Sequence, residues 1–425
     1  MQQKYKNILI SNIDNRIGFP RLLGIAIILI IIGIAAIFNT LYQGISLFGL
    51  SNTISWGWMI ACFIFWVGIA HAGTLISAIL FLAGQHWRSS LSRSAEAMTV
   101  IAIMIAAVFP LIHTGRPWYA FYWLIPYPNQ MGVWTNYKSP LEWDFFAIMT
   151  YLIISLAFFY IGLLPDLAYL RNRLKNRYIA RIYKHMSLGF SGNPKQWSAY
   201  LYTYSIVAGI AAAVVVSVHS IVSLDFAVTL LPGWHSTIFP PYFVAGAILS
   251  GCAFVIMLIV ILRHSMNLIN IIKIEHLEKL NKIIIAMSWI IGYSYTVEFF
   301  HAFSSGSSAE ANLFTNRLES GVFILVVIFC FALPQLLLFS RIRKNTAMMF
   351  IISIMINIGM MAERYEIVIS SQYSAHYSSI TGSYMPTITE LSIFAGSIGI
   401  FMLMFIGFIR YFPPVSIWET EYYHK

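Results

Sequence analysis

Ten long apolar runs divide this 425-residue chain, and they constrain its fold more than any other feature. A helix that crosses about 30 Å of hydrocarbon needs about 20 mostly apolar residues. The runs that meet this requirement cover residues 21–43, 55–83, 95–114, 141–165, 200–224, 241–262, 284–303, 319–339, 346–370 and 388–410. Hydrophobic residues make up 59% of the chain and charged residues only 10%, which lies outside the range of soluble globular domains. The sequence therefore predicts an all-α polytopic membrane protein with ten transmembrane helices.

The first apolar run is expected to remain in the mature protein. The residues before it include Lys4, Lys6, Asp14 and Arg16, and no small-residue cleavage site follows a short apolar core. A secretory signal peptide would have a short apolar core followed by such a cleavage site. We therefore interpret this run as a retained membrane anchor. Because no long linker interrupts the spans, residues 1–425 are expected to form one membrane domain.

The basic residues are distributed unevenly between the two sides of the membrane. If both termini lie inside, all but four of the 26 Lys and Arg residues fall in inner segments. The exceptions are Arg116, Lys138 and Arg317 in outer loops and Arg364 within a span. This bias places both termini in the cytoplasm. The formal charge of +10 therefore reflects membrane topology and does not indicate a nucleic-acid surface.

Few side chains are arranged to hold a metal or a haem. The three cysteines lie singly inside predicted helices, at Cys62, Cys252 and Cys330, without ligand spacing. Iron–sulfur ligation and covalent haem attachment are therefore disfavoured, and no metal site is predicted. Two stacked b-type haems would need paired histidines at matched depths. Only His71 is central in the membrane, so the pattern leaves open at most a single haem near the outer side.

The richest polar constellation lies at the outer edge, where the third span ends and the fourth begins. His113 closes an apolar run and is followed by Gly and Pro stop signals. The segment 139–142, Ser-Pro-Leu-Glu, has the pattern of a helix-capping box, which gives Glu142 a structural role. Asp144 lies five residues beyond that N-cap and hence ~7 Å deeper in the membrane. No cap explains Asp144, and we expect it at the same depth as His113.

A carboxylate at the centre of a span costs ~2.5–3.5 kcal/mol and less near the edge, so it usually faces a partner or a cavity. One interpretation is structural: Asp144 pairs with Arg116 or His113 and only holds the loop. The functional interpretation is a quinol site, because quinol oxidation releases two electrons and two protons and needs proton acceptors nearby. Neutral imidazole and carboxylate suit that role. We predict His113 and Asp144 as catalytic, quinol-binding residues, with Arg116 tuning their charge.

Other polar side chains inside the spans suggest a route for protons. The members of this predicted path are His71, His219, Asp225, Glu298, His301, Glu363 and Arg364. A packing role is the alternative for each of them. Glu298 and His301, three residues apart on one helix, could form ion pairs with the charged cluster in the ninth span. A lone histidine between small residues, such as His71, is often a packing element bonded across helices.

Several longer strings resemble the NrfD/PsrC-type membrane subunits of bacterial quinone-linked complexes. They include Gly68-Ile-Ala-His71-Ala-Gly73, Phe109-Pro-Leu-Ile-His113-Thr-Gly-Arg116-Pro-Trp118, Ser139-Pro-Leu-Glu-Trp-Asp144 and Ala362-Glu363-Arg364. Within that family the combination is most similar to the ActC-type subunits of alternative complex III, a quinol:electron-acceptor oxidoreductase. The resemblance implies two four-helix bundles, 55–224 and 241–370, with peripheral helices at 21–43 and 388–410. It also implies a quinol site in the first bundle near the periplasmic face, with His113 and Asp144 at the family's site positions.

The resemblance further implies a bacterial cytoplasmic membrane, menaquinol or ubiquinol as substrate, and no metal or haem bound by this chain. Electrons would pass to iron–sulfur clusters in a periplasmic partner subunit, with coupling to proton translocation. The other implied partners are a paralogous NrfD-like membrane subunit, multihaem and monohaem cytochrome c subunits and, in a supercomplex, a cytochrome oxidase.

Two alternatives remain open from the sequence. The first keeps the fold and reverses the electron flow, giving a quinone-reducing membrane anchor of a molybdopterin oxidoreductase similar to polysulfide reductase. The second is a proton-coupled transporter that uses the buried charges. Transporters tend to bind their substrates at the membrane midplane, whereas the richest constellation here lies at the outer edge.

Overall fold

The computed structural model describes Ile10 and residues 19–118, 138–373 and 384–423, and ten of its helices are long and apolar enough to cross a membrane. In chain order they are α1 (Pro20–Leu47), α2 (Trp58–Leu82), α3 (Ser92–His113), α4 (Pro140–Leu170), α5 (Pro194–Ala227), α6 (Phe239–Ser265), α7 (Ile274–Ser304), α8 (Gly321–Leu338), α9 (Thr346–Tyr373) and α10 (Ile388–Tyr411). Each corresponds to one predicted span, and the described residues include no strand. The predicted all-α fold with ten membrane helices is confirmed, and the chain is a multi-pass membrane protein.

The helices begin where the sequence supplies suitable first residues. Helices α1, α4 and α5 each start with a proline. Proline is favourable there because the first helical N–H has no partner within the helix. Helix α10 starts with a capping box, in which Thr387 and Glu390 each bond to the other's backbone. Below, the outer end of the molecule is the end that contains His113, and the inner end is the end that contains Glu419.

The helix contacts separate into two groups. Helices α2 to α5 contact one another, as do helices α6 to α9, and α6 joins the groups by packing on α2 and α5. Helix α1 packs mainly on α10, where a Cβ at Gly33 would lie 2.6 Å from the Cα of Gly396. Small residues allow such a close approach in a membrane, where dispersion contacts drive helix association. The grouping into two bundles and two peripheral helices stays a prediction, which these contacts support.

Helix α3 is not continuous. Its first part ends at Ala106, and the chain resumes as the short helix Phe109–His113 after a turn at Ala107 and Val108. Pro110 occupies the second position of this short helix, where a backbone N–H would have no partner within the helix, so its absence costs nothing. The interruption gives the last turn, and therefore His113, an orientation independent of the rest of α3.

The C-terminal segment closes the inner end of the first group of helices. Residues 413–420 are buried, and the short helix Ile417–Tyr423 docks beside α4. Asp166 in α4 accepts hydrogen bonds from the backbone N–H groups of Ile417 and Trp418, at 3.2 and 3.1 Å. This carboxylate thereby caps the first turn of the short helix.

Candidate functional site

His113 lies at the outer end, on the last residue of α3. Its side chain is half-buried, and its Nδ1 has no hydrogen-bond partner among the described residues. Gly115 follows with a φ of +70°, and a Cβ there would lie 2.5 Å from the Cγ2 of Ile45 in α1. Any other residue would be strained in its backbone and would clash with α1. This glycine therefore fixes the exit of the chain beside His113.

Asp144 lies beside a second carboxyl group. Helix α4 begins at Pro140 with Ser139 as N-cap, as predicted, although the Ser139 side chain makes no capping hydrogen bond to a described residue. Asp144 is buried, and its carboxyl group lies close enough to that of Asp225, near the end of α5, for the two groups to interact electrostatically. The Oδ1 atoms of both residues are buried and have no hydrogen-bond partner in the described part of the chain.

A cavity of about 390 Å³ opens beside this carboxyl pair, and Asp225 lies on its wall. Its size is within the usual range of about 300–1,000 Å³ for small-molecule sites. Trp56 and Trp234 line it and pack on each other with ring centroids 5.6 Å apart. Phe226 supports both rings, at 5.5 and 4.9 Å. The cavity therefore combines an aromatic wall with a carboxyl group.

Gln372 in α9 also lines the cavity and holds the chain segment before α2 in place. Its Oε1 accepts from the backbone N–H groups of Ser55 and Trp56 at 2.9 and 3.1 Å. Its Nε2 donates to the carbonyl oxygen of Trp56 at 2.7 Å. One amide thus fixes the backbone that carries a wall residue of the cavity.

No hydrogen bond or ion pair joins the three residues predicted as the quinol site to one another in the described part of the chain. Arg116 is exposed and makes no hydrogen bond or ion pair with another described residue. Nδ1 of His113 and Oδ1 of Asp144 have no hydrogen-bond partner among these residues, and Asp144 interacts with Asp225. The structural interpretation of Asp144 as the partner of Arg116 or His113 therefore has no support among these residues. Asp225, which sequence reasoning placed only on the proton path, belongs to the outer site.

His71 and His219 form a pair of buried rings deeper in the membrane, with centroids 4.3 Å apart. The ring nitrogens of His71 lie 2.9 Å from the carbonyl oxygen of Val67 and 2.5 Å from that of Val215. Both ring nitrogens of His219 are buried without a hydrogen-bond partner among the described residues. A neutral imidazole has one N–H and one acceptor nitrogen. A neutral His71 can therefore donate to only one of the two carbonyl oxygens, and His219 has a donor and an acceptor without a described partner.

Glu363 and Arg364 lie at the centre of a second polar cluster. The Glu363 carboxylate accepts from the Tyr295 hydroxyl at 2.7 Å and from Tyr242, and it lies 3.2 Å from the Arg364 guanidinium. Arg364 also stacks on the ring of Phe243, with its central carbon 4.7 Å from the centroid. These contacts connect α6, α7 and α9, so the cluster has a packing role whether or not it carries protons.

Glu298 and His301 differ in burial. The Glu298 side chain is buried, whereas His301 is exposed. The buried cation that contacts α9 near its outer end is Arg317, which lies 3.8 Å from Glu366 and donates to Ser370 at 3.0 Å. Among the described residues, no hydrogen bond or ion pair joins Glu298 or His301 to the charged cluster of α9, so ion pairing between those two spans stays a prediction.

A dense charged cluster at the inner end was missed by sequence reasoning. Arg88 lies 2.6 Å from Glu419, and Arg93 lies 2.7 Å from Glu96 and 3.3 Å from Asp166. All five side chains are almost fully buried. The only local signal was the i,i+3 spacing of Arg93 and Glu96 inside an apolar run, which is typical of an ion pair on one helix face.

The comparison with protein families agrees with this architecture. The profile of the family described as "Polysulphide reductase, NrfD" matches residues 46–375, which include the outer cavity and both polar clusters inside the membrane. The chain belongs to the NrfD family. The matched range covers α2 to α9 and leaves out most of α1 and all of α10, the two helices that pack mainly on each other.

One curated relative covers nearly all of this NrfD-family chain. It is a Halobacterium salinarum protein whose provisional name is that of a membrane subunit of dimethyl sulfoxide reductase. The two sequences are 25% identical over 417 residues, which is 92% of this chain and 90% of the relative. The similarity therefore extends over the whole membrane domain.

The described residues of this NrfD-family chain contain no group of three or more His, Cys, Asp or Glu side chains arranged to hold a metal ion. Cys62, Cys252 and Cys330 are buried as separate thiols.

Proposed function

We propose that this chain is the quinol-oxidising membrane subunit of a multisubunit oxidoreductase, with its quinol site in the cavity at the outer end. The carboxyl pair Asp144–Asp225 beside that aromatic-walled cavity, in a chain of the NrfD family, is the observation that carries the proposal. Quinol is lipid-soluble, and the cavity lies where the chain leaves the membrane.

The carboxyl pair suits the removal of protons from a quinol. Two neighbouring carboxylates repel each other when both are ionised, so the pair favours keeping one proton, and its other carboxylate can accept a second. Asp225 lies on the cavity wall and Asp144 behind it, and each has an unpartnered Oδ1. His113 supplies a second acceptor through its unpartnered Nδ1. General-base groups of this kind contribute about 10²–10⁴-fold to a rate. Arg116, exposed at the same end, would tune the charge of the site.

The two protons released from the quinol at the outer end would leave toward the periplasm. A separate route through the membrane would carry additional protons from the inner side. The His71–His219 pair lies on α2 and α5 below Asp225 and supports such a route. The cluster of Glu363 and Arg364 supports its extension toward α9, while Glu298 lies nearby as a buried carboxylate. We include proton translocation in the proposal on these grounds.

Electrons from the quinol must leave to a partner, because a two-electron donor needs an acceptor and this chain would supply none. As first candidate we propose a complex of the alternative complex III type in a bacterial cytoplasmic membrane. Its partners would be a periplasmic iron–sulfur subunit, a paralogous NrfD-like subunit and cytochrome c subunits. The termini would lie in the cytoplasm and the quinol site near the periplasmic face.

The second candidate is a membrane anchor of a molybdopterin oxidoreductase. It is favoured by the name of the Halobacterium salinarum relative, which is that of a dimethyl sulfoxide reductase subunit. A sulfoxide reductase consumes electrons, so its membrane subunit would also oxidise quinol, whereas a polysulfide-reductase-like enzyme running in reverse would reduce quinone. A transporter is disfavoured by family membership and by the position of the cavity at the outer end.

The test is purification of the native complex through a tag on this chain, followed by identification of its subunits and assay of quinol-dependent turnover. A multihaem cytochrome supports the first candidate and a molybdopterin subunit the second. Substituting His113→Ala or Asp144→Asn should abolish turnover without loss of assembly. Glu319→Gln is the matched control for Asp144→Asn, since Glu319 is an exposed carboxylate at the outer end. Unchanged turnover in the first two variants would refute the proposed site.

A further inference from the structure

A second and larger cavity lies away from the outer site, between α10 and the helices α2, α6 and α9. Its volume is about 760 Å³. It runs from Pro386 and Trp58 near the outer end to Phe405 in the inner half of α10. Its lining contains no carboxylate or imidazole among the described residues and is almost wholly apolar. We call it the lateral groove.

Asn357 supplies the amide group of the lateral groove, whose lining also includes the Tyr365 hydroxyl, already bonded to the carbonyl oxygen of Tyr384 at 3.1 Å. Asn357 lines the groove on α9 and is only 8% exposed. Its Nδ2 donates to the carbonyl oxygen of Ser353 at 2.8 Å, which fixes the orientation of the amide because a carbonyl oxygen can only accept. Its Oδ1 is buried and has no hydrogen-bond partner among the described residues. A buried acceptor left without a donor costs about 1–3 kcal/mol, so the groove is built for a ligand with a hydrogen-bond donor.

The depth of Asn357 restricts which ligand can supply that donor. Eleven residues separate it from Thr346 at the inner start of α9, which is about 16 Å at 1.5 Å per residue, and therefore about half of the ~30 Å hydrocarbon core. Phospholipid head groups remain at the membrane surface, and their acyl chains carry no donor. A molecule that brings a hydroxyl group to the midplane must itself be apolar overall.

The side chains around this depth are aromatic. Trp66 and Phe401 stack with ring centroids 5.4 Å apart, and Phe254 packs edge-on against Phe401 at 5.1 Å. The indole N–H of Trp66 is already bonded to the Ser397 hydroxyl at 3.0 Å, so its ring acts here as an apolar surface. Flat aromatic faces of this kind pack well against another aromatic ring.

The outer end of the lateral groove adjoins the proposed reaction site. Trp56 lines the outer cavity and Trp58 lines the groove, so one short chain segment separates the two spaces. The indole Nε1 of Trp58 is a buried donor without a partner in the described part of the chain. A ligand that moves between groove and cavity would pass this unpartnered N–H.

We propose that the lateral groove is a second quinol-binding site. A ring hydroxyl of the quinol donates to Oδ1 of Asn357, the ring packs on the aromatic side chains, and the isoprenoid tail follows the apolar walls. Because no carboxylate or imidazole of the described lining can take a proton, quinol bound there is stored and is not oxidised. This inference rests on the proposed function, since it assigns a reservoir for the same substrate.

The test counts the quinol bound by the purified complex in phosphatidylcholine nanodiscs titrated with a short-tailed menaquinol. The expected wild-type stoichiometry is two per chain. Ala362→Phe should fill the groove and reduce the count to one, whereas Ala347→Phe, at an exposed position of the same helix, should leave it at two. Asn357→Leu should weaken the second binding step by about fivefold or more, the loss of one buried hydrogen bond.

The outcomes separate the reservoir from the proposed reaction site. A variant with both His113→Ala and Asp144→Asn should lose turnover and still bind the quinol that Ala362→Phe removes. If this variant loses turnover and adding Ala362→Phe does not change its quinol count, the reservoir alone is overturned. Retained turnover with a groove quinol still present would overturn the reaction site alone. The reservoir would also be overturned if the molecule that Ala362→Phe removes from the complex proves to be a phospholipid and not a quinol.

Discussion

Replacing Glu419 by glutamine should destabilise the protein, although the residue lies near the C-terminus. The carboxylate is 1% exposed and lies 2.6 Å from the Arg88 guanidinium, which is also 1% exposed, and it accepts a second bond from Ser92 at 3.0 Å. Burial alone would lower the pKa of Arg88, but Glu419 and its neighbours outweigh burial and raise that pKa above its ordinary value. In the Glu419→Gln variant Arg88 therefore remains charged and loses its closest counter-charge.

Removal of one partner from a buried ion pair costs about 3–5 kcal/mol, because the other charge stays buried and unpaired. The matched control is Glu278→Gln. Its partner Arg343 is 3.4 Å away and the two side chains are 15% and 17% exposed, so water can replace part of the lost interaction. For that pair we expect about 1 kcal/mol or less, as for ion pairs that reach solvent.

The assay is denaturant unfolding of the purified protein in detergent, followed by tryptophan fluorescence. Trp418 is one residue from the change and packs on Trp197 with ring centroids 5.6 Å apart, so the signal reports on the affected region. A double variant, Arg88→Met with Glu419→Leu, should recover much of the lost stability because it removes both charges of this buried pair and leaves neither one unpaired. Equal losses for Glu419→Gln and Glu278→Gln would refute the reasoning.

Three further changes have definite expected outcomes. Asp225→Asn should lower quinol-dependent turnover by about 10²–10⁴-fold, the usual contribution of a general base, and unchanged turnover would remove Asp225 from the site. Gly73→Ala should lower the free energy of unfolding by about 1–3 kcal/mol through overpacking, because the new Cβ would lie 2.2 Å from a backbone oxygen of α3. The control Gly209→Ala should leave the free energy of unfolding unchanged, because Gly209 has open space around it. Gln372→Leu should raise the KM for quinol, since it releases the backbone of Trp56, while an unchanged KM would contradict its role in shaping the cavity.

The helices could be predicted from the sequence because each span is a local property of about 20 residues. Positions 139 and 140 marked the start of α4, and the structure has that start. The turn at Ala107 and Val108 inside α3 was not predicted, because no strong breaker precedes Pro110 and the apolar run continues through it.

The partner of Asp144 could not be predicted in the same way. Asp144 and Asp225 are 81 residues apart, and their contact depends on the rotation of α4 and α5 about their own axes. Hydropathy specifies the depth of a residue but says little about the neighbouring helix that its side chain meets. The sequence alone thus led to a prediction of depth and side for Asp144 and left its pairing undetermined.

The inner charged cluster was missed for a related reason. Arg88 and Arg93 were counted as inner basic residues for the topology, and Glu419 lies in a tail with no apolar run. Their burial follows only from the docking of residues 413–420, which is a tertiary event. For Glu298 and His301, helical spacing suggested ion pairs of both residues with the ninth span, but the Glu298 side chain is buried and His301 is exposed.

The most direct test of the central claim is a single-turnover measurement on the purified native complex. Quinol is mixed rapidly with the oxidised complex, and the reduction of the partner's redox centres is followed by absorbance. The account predicts that Asp144→Asn abolishes this reduction, while Glu319→Gln, which removes an exposed carboxylate at the same end, leaves its rate unchanged. Reduction at the wild-type rate in the Asp144→Asn complex would contradict the assignment of the outer cavity as the site of quinol oxidation.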